Sequence, residues 1–178
     1  MLHASPGMGL NMRQLRANTH TASPKGGFGL PLEEPYIIAA RAGLDVGRAK
    51  DLLERSFGKP LAEGYFDMPF EMAILERDYN GIAIIKRLDH EPYLDKFAVV
   101  PEAQGMGLAR DLWKRIKNLC DSLVWRASPA NPFNDWYSRN SDGSAEIGVW
   151  TVFWYGIEDR RAHELAEKAA GLPLTIIK

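Results

Sequence analysis

The chain has 178 residues, 46% of them hydrophobic and 25% charged, a balance that suits one globular core rather than two. Its net charge of −1 and pI near 6.4 give no global electrostatic reason to expect nucleic acid or an anionic membrane as partner. No stretch approaches the roughly 18–20 continuous apolar residues of a membrane span. The single cysteine, Cys120, excludes a disulfide within the chain and fits a reducing compartment.

From Met1 to about Pro35 the residues mix Gly, Pro, Ser, Thr and Asn without a sustained period, which predicts a flexible leader or linker and places the domain at 36–178. Residues 1–32 carry Arg13, Arg16 and Lys25 but no acid, a bias shared with mitochondrial transit peptides. The amphipathic helix such peptides need is poorly formed here, so a linker is preferred. Leu44, Ala49, Leu52, Leu53 and Phe57 recur at helical spacing, with Asp45 as N-cap and Gly58 with Pro60 as a stop. Met72–Glu76 and Ile82–Leu88 read as strands, and the Asn80-Gly81 pair between them is a hairpin signal.

A strand over Tyr93–Val100 follows and ends at Pro101. The next residues are Gln104-Gly105-Met106-Gly107-Leu108-Ala109, with small residues where a backbone must approach a ligand closely. An amphipathic helix begins at once, its apolar face formed by Leu108, Leu112, Ile116 and Leu119. A strand that turns through glycines into a helix aims several backbone N–H groups at one point, as a pyrophosphate cradle does. Taken alone the pattern is equally compatible with a structural turn. Cys120 falls on the apolar side of this helix, where a small buried hydrophobe is preferred over a nucleophile. Beyond it come a strand over Ser122–Arg126, a short helix over Asn131–Arg139, a turn at 140–143, a strand over Trp150–Trp154 and a helix over Glu158–Ala170. Gly171 and Pro173 end that helix. The order predicts an α/β domain with a mixed, mostly antiparallel sheet and helices on both faces. The four histidines are scattered and form no metal-ligand spacing with Cys120.

Three segments go beyond core packing: Tyr93-Leu94-Asp95-Lys96-Phe97, the run from Val124 to Tyr137, and Val152-Phe153-Trp154-Tyr155-Gly156. With the glycine loop they resemble the acetyltransferase domain of vertebrate-like N-acetylglutamate synthases, which also ends the bifunctional bacterial synthase/kinases. The likeness runs from about Leu44 to Pro173. It implies the GNAT fold and transfer of acetyl from acetyl-CoA, the cosubstrate, to the α-amine of L-glutamate, giving N-acetyl-L-glutamate and CoA for arginine biosynthesis. Carried over by position, it assigns acetyl-CoA to Val99, Gln104, Gly105, Met106, Gly107, Leu108 and Ala109. Substrate contacts fall to Lys59, Lys96, the main chain of Phe97, Arg126, Asn131 and Tyr137, with no metal.

The chemistry of these residue types agrees. Glutamate brings two carboxylates, each needing a cation or several donors to offset desolvation. Lys59 and Lys96 offer point charges and Arg126 a planar fork, worth about ten- to a hundredfold in affinity. Without the family pattern, the preferred reading of Arg126 is a strand-end ion pair with a neighbouring acid. Attack needs a neutral amine, and the departing thiolate needs a proton. The resemblance makes Tyr137 the candidate general acid, and Tyr93 the candidate for amine deprotonation, directly or through water; Tyr93 is otherwise an aromatic residue opening a strand. Backbone N–H groups near Phe97–Val99 would polarise the thioester carbonyl, and direct transfer leaves Cys120 without a task.

Relatives often place a second arginine where this chain has Ser128, which implies either a weaker carboxylate grip or a larger share of it for Lys59. Relatives also carry an amino-acid kinase domain ahead of this one, through which the parent protein would form a homo-oligomer. That domain is not expected in 178 residues, so neither kinase activity nor arginine regulation is expected of this piece. The expected compartment is the bacterial cytoplasm, with the mitochondrial matrix as alternative, and neither nucleic acid nor membrane is an expected partner. Two other classes stay open: the same fold acting on another amine, and a non-catalytic module that binds N-acetylglutamate or CoA and assists assembly.

Overall fold

A computed structural model describes residues 36–39 and 41–177, all within a compact unit spanning 34–178. The leader expected over residues 1–35 lies outside the described residues. One seven-stranded sheet has the order β1-β2-β3-β4-β5-β7-β6, where β1 is Tyr36–Ala39, β2 Met72–Glu76, β3 Gly81–Leu88, β4 Glu91–Val99, β5 Leu123–Ala127, β6 Gly143–Ile147 and β7 Trp150–Tyr155. Every neighbouring pair is antiparallel except β4 with β5, which run parallel. Among the described residues four α-helices cover the sheet: α1 Val46–Phe57, α2 Leu108–Leu119, α3 Asn134–Asn140 and α4 Asp159–Ala170.

Local sequence explains most of these boundaries. The Asp45 carboxylate accepts the Arg48 N–H at 3.0 Å and starts α1, and Gly58, at φ 63°, ends it. The β2–β3 hairpin falls where the Asn-Gly pair predicts one, but the left-handed residue of its turn is Tyr79, at φ 65°, and Gly81 already opens β3. The buried Glu76 carboxylate accepts the Asp78 and Asn80 N–H groups beneath the turn.

Ala49, Leu52 and Leu53 of α1 pack with Leu75, Ile82, Ile84 and Ala98, while Ala162, Ala166 and Ala169 of α4 pack with Tyr93, Val124 and Val152 on that same face. Trp113 of α2 and Tyr137 of α3 meet Trp125 on the opposite face. Helices thus cover both faces of a mixed, mostly antiparallel sheet, as expected.

Two strands were not foreseen. β1 is a four-residue edge strand at the start of the described residues. β6 occupies Gly143–Ile147, following the predicted turn, and its half-exposed Gly-Ser-Ala-Glu-Ile run has little of the β-branched, aromatic signature of a strand. Gly143 is required there by a close approach: a Cβ would lie 2.6 Å from the Trp154 ring.

The centre of the sheet is opened. Ile84 pairs with Lys96 and Ile85 with Leu94, so Asp95 is an extra residue, a β-bulge that bends β4. The β4–β5 ladder holds only at Tyr93–Val124 and Leu94–Trp125. Beyond those pairs the two strands part.

Candidate active site

Where β4 and β5 part, a cavity of about 420 Å³ is lined by Tyr93–Phe97 of β4, Trp125–Ser128 of and after β5, and Phe57, Lys59, Asn131, Tyr137, Trp150 and Leu174–Ile176. A second cavity of about 340 Å³ runs along Phe97, Ala98 and Val99 to Gln104 and Ala109, with Ser56 and Phe133 on its walls. Phe57, Phe97, Asn131 and Tyr137 line both. A lysine-bearing chamber therefore meets a channel that leads to the glycine loop.

That loop bends as expected. After a turn of 3₁₀ helix over Pro101–Ala103, Gly105 and Gly107 take φ of 83° and 86°, conformations that favour glycine, and Gly107 is the N-cap of α2. No side chain caps that helix start, so its first N–H groups and the positive end of the α2 dipole are left for an anion. Gln104 and Ala109 line the channel itself. Met106 is exposed on the outside of the bend.

Six predicted site residues meet at the first cavity: Lys59, Tyr93, Lys96, Phe97, Arg126 and Asn131, with Tyr137 at the junction. Lys59 is exposed at the rim and forms no hydrogen bond or ion pair among the described residues. Asn131 spends its side-chain oxygen on the Phe133 N–H at 2.9 Å, leaving its amide hydrogens for the cavity. Phe97 stacks on Trp136, which fixes the β4 main chain where the strands diverge.

Arg126 differs from the carboxylate fork expected of it. Its Nη1 donates to the carbonyl oxygens of Ala169, Ala170 and Leu172 at 2.7–3.0 Å, and its Nη2 donates to Pro173 at 2.8 Å. The guanidinium also lies 4.2 Å from the Trp150 ring centre. It caps the C-terminal end of α4, where unpaired carbonyls and the negative end of the helix dipole favour a cation. With four carbonyls to serve and the Tyr93 phenol beside it, the guanidinium keeps too few hydrogens for a bidentate grip through both terminal nitrogens.

Tyr93 and Tyr137 are 3% and 6% exposed, and burial raises both phenol pKa values well above the ordinary range. At Tyr93 the Asp95 charge adds to the rise and the Arg126 guanidinium opposes it. Both phenols therefore stay protonated at neutral pH, so each can donate and neither is a ready base.

Sequence reasoning left Asp95 unassigned, although it stands inside the quoted motif. Its carboxylate accepts from Tyr65 Oη, from Lys96 Nζ at 3.0 Å and from Lys86 Nζ at 3.1 Å. Burial alone would raise this carboxyl; the Lys96 and Lys86 charges and the Tyr65 hydroxyl reverse that and hold it below the usual value. Burial lowers the Lys96 ammonium pKa, against the pull of Asp95. Two lysines on one carboxylate leave the chamber electropositive.

Among the described residues no group of three or more His, Cys, Asp or Glu is placed to hold a metal, and no helix is long and apolar enough to cross a membrane.

Residues 37–170 match the family model described as NAT, the N-acetyltransferase of N-acetylglutamate synthase. The chain is 38% identical over 142 residues to mitochondrial N-acetylglutamate synthase of Mus musculus, covering 76% of this chain and 27% of that protein. It is 34% identical over 136 residues to an acetylglutamate kinase of Xylella fastidiosa, covering 75% of this chain and 32% of that one. The chain thus spans about a quarter to a third of the length of these curated relatives. Its fold is similar to that of N-acetylglutamate synthase from Neisseria gonorrhoeae, solved with coenzyme A and N-acetyl-glutamate. The TM-score is 0.53 at 14% identity, covering 69% of this chain and 35% of that one.

Proposed function

Because this chain belongs to the family of the N-acetyltransferase domain of N-acetylglutamate synthase, we propose that it transfers acetyl from acetyl-CoA to the α-amine of L-glutamate. The observation that carries this reading is the shared wall of Phe57, Phe97, Asn131 and Tyr137 between an electropositive chamber and a channel ending at a glycine loop. A dicarboxylate fits the first and a CoA thioester the second, so their reacting ends meet at Tyr137.

Acetyl-CoA lies along Val99 and the second cavity, its pyrophosphate on the backbone of Gln104, Gly105, Met106, Gly107, Leu108 and Ala109. Glutamate occupies the first cavity, its carboxylates held by Lys59, Asn131 and the Lys96 side, with Arg126 contributing charge. The α-ammonium gives up one proton through water beside Tyr93, whose raised pKa makes phenolate an unsuitable acceptor. The neutral nitrogen attacks the thioester carbon, a C–N bond forms, and N–H groups of the opened Phe97–Val99 segment meet the negative charge on the carbonyl oxygen. The C–S bond then breaks. As Tyr137 gives its proton to the departing thiolate, the second amine proton passes through water to the Tyr137 oxygen, so the phenol ends protonated, the form that burial favours.

The product is N-acetyl-L-glutamate, an intermediate of arginine biosynthesis. We place this chemistry in a cytoplasm, with a mitochondrial matrix as the alternative, and assign homo-oligomerisation and any kinase activity to the amino-acid kinase part of a parent protein. The test is CoA release from acetyl-CoA by the purified chain with L-glutamate present, absent, or replaced by aspartate, glutamine or spermidine. Glutamate-dependent release is the expected result. Release only with another amine would move the substrate, and acetyl-CoA binding without release would favour a binding module.

A further inference from the structure

The segment after α4 turns back across the mouth of the first cavity. Arg126 holds the Pro173 carbonyl, the Ala62 N–H donates to the Thr175 carbonyl at 3.0 Å, and the Ile177 N–H donates to the Pro60 carbonyl at 2.9 Å. Leu61 and Ile176 form an antiparallel bridge between those contacts. Residues 172–177 are thereby strapped to the chain that follows α1, and Leu174, Thr175 and Ile176 become part of the cavity wall. This strap lies beyond the family match, which ends at residue 170.

Its most consequential contact is with Lys96. An ammonium has three hydrogens to donate. Lys96 Nζ directs them to the Asp95 carbonyl at 3.1 Å, the Asp95 carboxylate at 3.0 Å and the Thr175 hydroxyl at 2.6 Å. Lys96 is 5% exposed, so a substrate has no open side from which to add a fourth partner. A carboxylate entering the chamber must either displace Thr175 or meet Lys96 through it. The second course needs no bond broken. A threonine hydroxyl that accepts from an ammonium keeps its own hydrogen to donate, and that hydrogen has no acceptor among the described residues. The adjoining charge polarises it, which strengthens the bond it can make to an anion.

Resting on the glutamate-binding reading above, we propose that Thr175 is a substrate-binding residue. Its hydroxyl, seated on Lys96 Nζ, donates to a carboxylate of the amino-acid substrate, and the strap exists in part to carry it there. Lys96 then acts on the substrate through Thr175, and Asp95 with Lys86 and Tyr65 sets the position of Lys96.

The test is steady-state kinetics of CoA release for Thr175→Val and Thr175→Ser, with glutamate and acetyl-CoA varied in turn and thermal unfolding measured on each variant. Valine keeps the shape and removes the hydroxyl; serine keeps the hydroxyl. The expected result is a KM for glutamate raised about tenfold or more in the valine variant and within about threefold of the parent in the serine variant. The KM for acetyl-CoA should be unchanged in both. Should the valine variant fail to fold, Thr175→Cys, similar in size with only a weak donor, is expected to raise the glutamate KM in the same way. A glutamate KM unchanged or lowered by valine would overturn the proposal alone, since Lys96 would then bind substrate directly once Thr175 is out of its way. A serine variant as impaired as the valine one would overturn it too. Absence of glutamate-dependent release from the unmodified chain would overturn the acetyl-transfer reading, and the role of Thr175 with it.

Discussion

Arg126 Nη2 donates to the carbonyl oxygen of Pro173 at 2.8 Å, tying β5 at the centre of the sheet to the segment that leaves the last helix. Through this bond one side chain joins the end of α4 to the wall of the first cavity. Binding and stability should therefore respond together to its loss. Arg126→Ala strands the carbonyls of Ala169, Ala170, Leu172 and Pro173, at a cost of about 2–3 kcal/mol, or roughly 4–12 °C in Tm. The glutamate KM should rise about ten- to a hundredfold. Arg126→Lys, which lacks the planar fork, should recover less than half of the lost Tm; full recovery would show that charge alone is needed. Thermal unfolding and glutamate titration of both variants check this.

Tyr137 packs against Trp113, Trp125, Trp136 and Phe153, and phenylalanine can keep those ring contacts. Tyr137→Phe should lower kcat by about a hundredfold or more while Tm stays within a few degrees and KM for acetyl-CoA changes less than about threefold. Retention of kcat would remove Tyr137 as proton donor to the thiolate.

Gly107 begins α2 at φ 86°, where a side chain is strained, and an added Cβ would lie 3.4 Å from Arg110 Nη2. Gly107→Ala should cost about 1–2 kcal/mol locally and raise the KM for acetyl-CoA roughly five- to thirtyfold, leaving the glutamate KM close to that of the parent. Equal changes in both constants would mean that the loop shapes the whole site rather than the CoA channel.

The Asp95 carboxyl sits below its usual pKa in the folded protein because Lys96 and Lys86 favour its charged form against burial. A depressed folded pKa contributes stability that is present above the unfolded value near 4 and is lost as pH falls through the folded value. Asp95→Asn should therefore be less stable than the parent at pH 7, with the gap narrowing below about pH 4. A gap independent of pH would mean that the carboxylate charge is not what holds the two lysines.

Burial pushes the Cys120 thiol up to about 11, and the residue is 2% exposed. Only about one thiol in ten thousand is then ionised at pH 7, so labelling by a thiol reagent should be slow in the native chain and fast after unfolding. Cys120→Ala should keep turnover within about twofold. A tenfold loss would point to an acetyl-cysteine step and overturn direct transfer.

Features set by neighbouring residues were legible in the sequence by itself. Asp45 caps its own helix, and Gly105 and Gly107 meet φ demands that few other residues tolerate, because each of these is a question of local backbone geometry. The motif segments also brought Tyr93, Lys96, Arg126, Asn131 and Tyr137 to one cavity region, where Lys59 joins them. What each side chain does there was settled by partners far along the chain. Arg126 is committed to carbonyls 43–47 residues away, and Lys96 to a threonine 79 residues away. The Asp95 bulge depends on a register between β3 and β4 that no single run of residues specifies. A planar cation or an ammonium binds whatever acceptors the fold delivers, so composition announces its charge, but only the tertiary structure decides where its hydrogens are spent.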